Sequence, residues 1–168
     1  MPLHTYKYLK NQYFLLALLL PMISCTSISQ KHSLSDISAS FVAIIVDDID
    51  QSIEWYTKKL GFEVIDRVDL EKRGLSQSNL KNGDTRLELI ELSTALSIDD
   101  LLDESAKSSR VKGFFKFGLT VSKFDEWVSH LEAVKAEFHG EVVKDNSTGK
   151  RMIIIRDPDG NRIQIFER

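Results

Sequence analysis

One order of elements occurs twice in this chain, and that duplication constrains the fold more than any other feature. The first copy opens with residues 41–46, a continuous apolar run rich in β-branched side chains, which predicts a buried strand. Asp48 or Asp50 can cap the helix that follows, because a short carboxylate accepts from the unpaired amides of a first turn. Ile49, Ile53, Tyr56 and Leu60 then recur at helical spacing and mark one face. Gly61 ends that helix, since glycine accepts the left-handed cap conformation. Three short strands follow over residues 62–69, 75–80 and 86–92. The last two are joined by Lys81-Asn82-Gly83-Asp84, in which Asn-Gly is a hairpin signal.

The second copy keeps the order. Residues 114–121 form a strand, and Ser122 with Asp125 makes a capping-box pattern. Phe124, Trp127, Val128, Leu131, Val134 and Phe138 line one helix face, and Gly140 stops the helix. Strands follow over residues 141–144, 151–156 and 162–167, the last two meeting at the turn Asp157-Pro158-Asp159-Gly160-Asn161. Both halves read βαβββ, an internal duplication at a spacing of roughly 75 residues. The expected organisation is a first module over residues 40–93, a linker over 94–112 and a second module over 113–168. The linker holds a short acidic helix over residues 96–105, a cover for one edge or a lid.

The start of the chain carries an address. Lys7 and Lys10 precede an apolar run of twelve residues, 13–24, with no acid. A helix needs ~20 apolar residues to span a bilayer, so this run is too short. A basic start, a short apolar stretch and small residues before a cut describe a secretory signal over residues 1–24. The single cysteine, Cys25, closes the run in MISC, which resembles the lipobox of bacterial lipoproteins. That resemblance implies lipid on Cys25 and a flexible, Ser-rich tether over residues 25–39. The periplasmic side of a bacterial envelope is then the expected location, and Thr26, not being Asp, favours the outer membrane. An ordinary cut nearby and an uncleaved anchor are the alternatives. Removing residues 1–24 takes away two lysines and no acid, which moves the net charge from −3 to −5. Such a balance argues against a nucleic-acid partner, and one cysteine excludes an internal disulfide or a thiolate zinc site.

Four segments carry a more specific likeness: FVAIIVDDIDQSIEWYTKKLGF, TRLELIEL, FGLTVSKFDEWVSHL and IIIRDPDGNRIQIFE. Through them residues 40–168 resemble the vicinal oxygen chelate superfamily, the glyoxalase, bleomycin-resistance and extradiol dioxygenase group. The resemblance implies an α+β fold in which two βαβββ modules build a curved mixed sheet around a cleft. It implies much less about function, because this fold hosts lyases, epimerases, dioxygenases and binding proteins.

Strand side chains alternate faces, and that alternation selects what meets the cleft. The expected ligand-binding residues are Phe41, Ile45, Arg86, Glu88, Ile90, Lys116, Thr120, Arg162, Gln164 and Phe166, while Phe115 turns inward with Phe117. Metal-dependent relatives carry one ligand on each of four strands. Those places hold Phe41, Glu88, Lys116 and Gln164 here. Phe41 has no donor atom and Lys116 is cationic, so no metal and no cofactor are expected. Glu88 and Lys116 are the candidate catalytic pair, or a structural ion pair in a vestigial site, or Lys116 merely reaches solvent. Arg86, Lys116 and Arg162 outnumber Glu88, which points to an anionic small molecule with an apolar body. Trp55 and Tyr56 read as rim and core, His130 and His139 as surface. The leading expectation is an exported, membrane-tethered, metal-free binding domain, as monomer or homodimer. A glyoxalase-like lyase or isomerase with an altered site is the second, and a structural or partner-binding protein with a closed cleft the third.

Overall fold

The computed structural model describes residues 39–102 and 113–168. The lipidation site at Cys25, the signal and most of the tether lie outside those residues, as does the end of the expected 96–105 helix. Among the described residues no helix is long and apolar enough to cross a membrane.

The first module is β1 (Val42–Val46), α1 (Ile49–Leu60), β2 (Glu63–Leu70), a 3-10 turn (Glu71–Arg73), β3 (Leu75–Asn82) and β4 (Thr85–Leu92). Its sheet has the order β1-β4-β3-β2. A short α2 (Ile98–Leu101) follows. The second module is β5 (Phe117–Val121), α3 (Phe124–Ala133), β6 (Glu137–Phe138), β7 (Val143–Lys144), β8 (Arg151–Arg156) and β9 (Arg162–Glu167). Its sheet runs β5-β9-β8-β6, with β7 also paired to β8. In each module the first strand pairs in parallel with the last, Ile44 opposite Leu89 and Leu119 opposite Ile165. The duplication read from sequence is therefore a duplication of sheets.

Helix α1 forms where its caps dictate. The Asp48 carboxylate accepts from the Gln51 amide at 2.9 Å, and Gly61 closes the helix at φ 66°. Its inner face, Ile49, Tyr56 and Leu60, joins Ile44, Val46, Leu80, Leu87 and Leu89 in the core. The same cluster continues through Phe124, Leu131, Ile153, Ile155, Ile163 and Ile165 of the second module. The two modules are also clasped by polar groups. The Tyr56 hydroxyl donates to Asp157 at 2.9 Å, and the Asp47 amide donates to Asp159 at 3.0 Å. Burial, then the neighbouring Asp157 carboxylate, pushes the Tyr56 phenol well above its ordinary value.

Four expectations need correction. Helix α3 ends at Ala133, not Phe138, because Lys135 turns left-handed at φ 54°. Phe138 still packs on the core, delivered by β6 opposite Ile155. The capping box at Ser122 does not form; Lys123 holds the N-cap position at φ 60°, and its side chain makes no capping hydrogen bond. Strand β5 starts at Phe117, and the preceding Phe115 is 54% exposed, not turned inward. Where residues 141–144 were expected to form a strand, only Val143–Lys144 pair.

Candidate functional site

Each sheet has one face packed on the helices and one open face. On β1, Ile44 and Val46 are buried while Ile45 is 53% exposed, as is Phe41 just before the strand at 58%. Pairing then lays the open face out in cross-strand rows. Ala43, Glu88, Asn79 and Asp66 form one row; Ile45, Ile90, Gln77 and Val68 form the next. Both carboxylates in the first row are held by side-chain amides. Gln77 donates to Glu88, and Asn79 donates to Asp66 at 2.8 Å. Phe41 and Arg86 lie together at the end of this face, where with Ile65, Asp66 and Asn79 they line a hollow of about 310 Å³.

On the second sheet β9 is central, flanked by β5 and β8. Arg162 lies opposite Arg156, Gln164 between Ile154 and Gly118, and Phe166 between Met152 and Thr120. Gln164 is buried, with its amide nitrogen against the Met152 sulfur. The Phe166 ring covers the bare backbone of Gly118, where a Cβ would come within 3.3 Å of it. Beside these rows stands Phe115. The Arg162 guanidinium is 4.7 Å from its ring centre and the Lys116 ammonium 5.8 Å. Cations favour the negative face of an aromatic ring, so one exposed phenyl gathers both. Among the described residues neither cation is paired with a carboxylate.

The expected residues are thus brought together in groups. Phe41 and Arg86 share one hollow, Lys116 and Arg162 share Phe115, and Gln164 and Phe166 are neighbours on β9. Thr120 lines a separate hollow of about 400 Å³ with Leu60, Asn82 and Trp127. The expected pairing of Lys116 with Glu88 is not formed: Gln77 occupies Glu88, and Phe115 attracts Lys116. A larger hollow of about 670 Å³ sits elsewhere, on the outer side of α1 around Trp55, Val134 and Pro158.

Two neighbours escaped the sequence reading, Gln77 and Arg156. Arg156 was open to it, because the turn at 157–161 sets Arg156 opposite Arg162. The four metal positions do not fit a divalent ion. Phe41 has no donor, Lys116 brings a positive charge, and the Gln164 amide is turned onto sulfur. Among the described residues no three His, Cys, Asp or Glu side chains gather where an ion could bind them.

Two sheets of this order, each closed by a parallel pairing of first and last strand, define a duplicated βαβββ protein. Residues 38–165 match the Glyoxalase/Bleomycin resistance protein/Dioxygenase superfamily, and the chain belongs to it. It is 30% identical over 132 residues to the Bacillus subtilis protein YwkD, covering 78% of this chain and 97% of that one. It is 26% identical over 118 residues to human mitochondrial methylmalonyl-CoA epimerase, covering 70% of this chain and 65% of the epimerase. Among solved structures, SMU.1112c is 30% identical with a TM-score of 0.65, over 78% of this chain and 98% of that one. The glyoxalase family protein of Enterococcus faecalis has a TM-score of 0.66 over 77% of this chain and 97% of its own, at 23% identity, and supports the fold alone.

Proposed function

We propose that this domain binds a small anion with an apolar body, needs no divalent metal to do so, and is tethered to a bacterial envelope by lipid on Cys25. The observation that carries the reading is a pair of cations, Arg162 and Lys116, gathered on one half-exposed phenyl ring with no carboxylate partner among the described residues. An anionic head can take the cations while the rest of the molecule lies on Phe115. Arg86 beside Phe41 repeats that pairing of charge and ring on the first sheet. The metal-free part rests on the donor chemistry at Phe41, Glu88, Lys116 and Gln164.

Thermal shift of the purified protein with benzoate, benzamide and benzylamine tests the anion. Benzoate raises the melting temperature and the other two do not. Lys116→Met weakens benzoate by about 1.5–3 kcal/mol, the range for a hydrogen bond to a charged group. Equal responses to all three compounds overturn the reading. Elemental analysis near one equivalent of metal per chain, lost in Glu88→Gln, overturns the metal-free part.

A second reading, a lyase or isomerase with an altered site, draws on Glu88. It is the one carboxylate at the four positions, it is half-buried, and an epimerase is among the chain's relatives. Turnover of an acyl thioester or hemithioacetal that vanishes in Glu88→Gln would favour it.

A further inference from the structure

We infer that the anion taken by the second sheet is doubly charged, a phosphomonoester or dicarboxylate with an apolar body. The inference rests on the reading of Arg162 and Lys116 as an anion site. It adds Arg156 as a third member.

The argument begins with register. Glu137 on β6 lies opposite Arg156 on β8, and Arg156 lies opposite Arg162 on β9. Lys116 stands one residue before Phe117, whose partner Ile163 follows Arg162. Three neighbouring strands therefore present Glu137, Arg156 and Arg162 in one row, and Lys116 stands at the entry to the fourth. Neighbouring strands are ~4.8 Å apart, so the three cationic stems rise side by side. Glu137 lies 3.4 Å from the Arg156 guanidinium and offsets one charge. Two remain without a carboxylate among the described residues, on Arg162 and Lys116. The next rows, Ile154-Gln164-Gly118 and Met152-Phe166-Thr120, contain no charge. The positive field is thus confined to one edge of an otherwise uncharged face.

Like charges held on adjacent strands repel each other, and a monoanion relieves only part of that. A dianion matches the uncompensated charge. Arg156 is positioned to help. One terminal nitrogen faces Glu137 and the other meets His139 at 2.9 Å, which fixes the plane of the guanidinium. Its Nε is buried and has no acceptor among the described residues. An arginine fork suits an acceptor with two or three oxygens on one centre, and Arg156 stands directly beside Arg162 in the row. Phe115 and Phe166 then supply the surface for the apolar body.

Calorimetric titration of the full chain tests this with phenyl phosphate, phenylsuccinate, benzoate, inorganic phosphate and benzyl alcohol at constant ionic strength. Near pH 7.5, phenyl phosphate or phenylsuccinate binds about tenfold or more tightly than benzoate, a difference of about 1.4 kcal/mol. Whichever of the two leads identifies phosphate or dicarboxylate as the source. The phosphate preference collapses at about pH 5, below the second ionisation near 6, which reports ligand charge without any mutation. Arg156→Gln removes most of the dianion preference and leaves benzoate within about threefold. Benzoate binding as tightly as both dianions overturns the double charge while the anion reading stands. Inorganic phosphate matching phenyl phosphate overturns the apolar body. If no anion binds better than benzyl alcohol, both readings fall.

Discussion

Asp157 is buried, yet its carboxylate accepts four hydrogen bonds, from the Tyr56 hydroxyl, the Asp159 amide, and the amide and side chain of Asn161. A buried carboxylate so equipped costs little, and one stripped of a donor costs much more. Tyr56→Phe removes the donor and keeps the ring, and should destabilise the fold by about 1.5–3 kcal/mol in urea denaturation. A second residue-scale effect appears in acid. Hydrogen bonds from Arg151 hold Glu167 down to about 2, against an ordinary value of 4.5. The folded value lies below the unfolded one, so the stabilisation is present above pH 4.5 and is lost as pH falls toward 2. Wild-type melting temperature should fall more steeply across that window than that of Glu167→Gln. At this scale the sequence told which side chains share a face. It did not tell where long side chains end, because Glu88 answers to Gln77, Gln164 to Met152 and Lys116 to Phe115.

Gly74 ends the 3-10 turn between β2 and β3 at φ 58°. A Cβ there would sit 2.0 Å from the Ser93 hydroxyl oxygen and 2.8 Å from its Cβ, while the Ser93 amide donates to the Gly74 carbonyl at 2.8 Å. Gly74→Ala therefore meets both a left-handed backbone, worth about 1–2 kcal/mol, and a neighbour tied in place. A lowered melting temperature is expected; an unchanged one would mean that Ser93 moves freely. Elements were legible where local chemistry and packing agree. Helix α1 has a carboxylate cap, an apolar stripe of four residues and a terminal glycine, and its residues follow the sequence reading. Helix α3 was read too long because Val134 and Phe138 continue its spacing. Nothing in that spacing reveals that a left-handed Lys135 breaks the helix and a short strand then places Phe138.

Across the whole molecule, the duplicated order and the DPDGN turn made the architecture legible, whereas the site arises from contacts between strands far apart in sequence. The N-terminal segment adds a prediction of its own. Cys25→Ala should move the protein from the membrane fraction to the soluble fraction or stall its precursor. Fractionation and the intact mass of the mature chain measure this, and unchanged values for both would defeat lipid anchoring. The clasp between Tyr56 and Asp157 bears on how such a chain comes to be folded at all. Its two members are 101 residues apart, and the acceptor lies in the last hairpin. Contacts of such long separation form late, because the intervening loop must be closed first. A chain emerging from its N-terminus has made α1 long before Asp157 exists, and until then the phenol has only water as its partner. The first module therefore carries a buried polar group whose partner is supplied only by the second, so the hydroxyl stays a debt of the early chain until the late one is made.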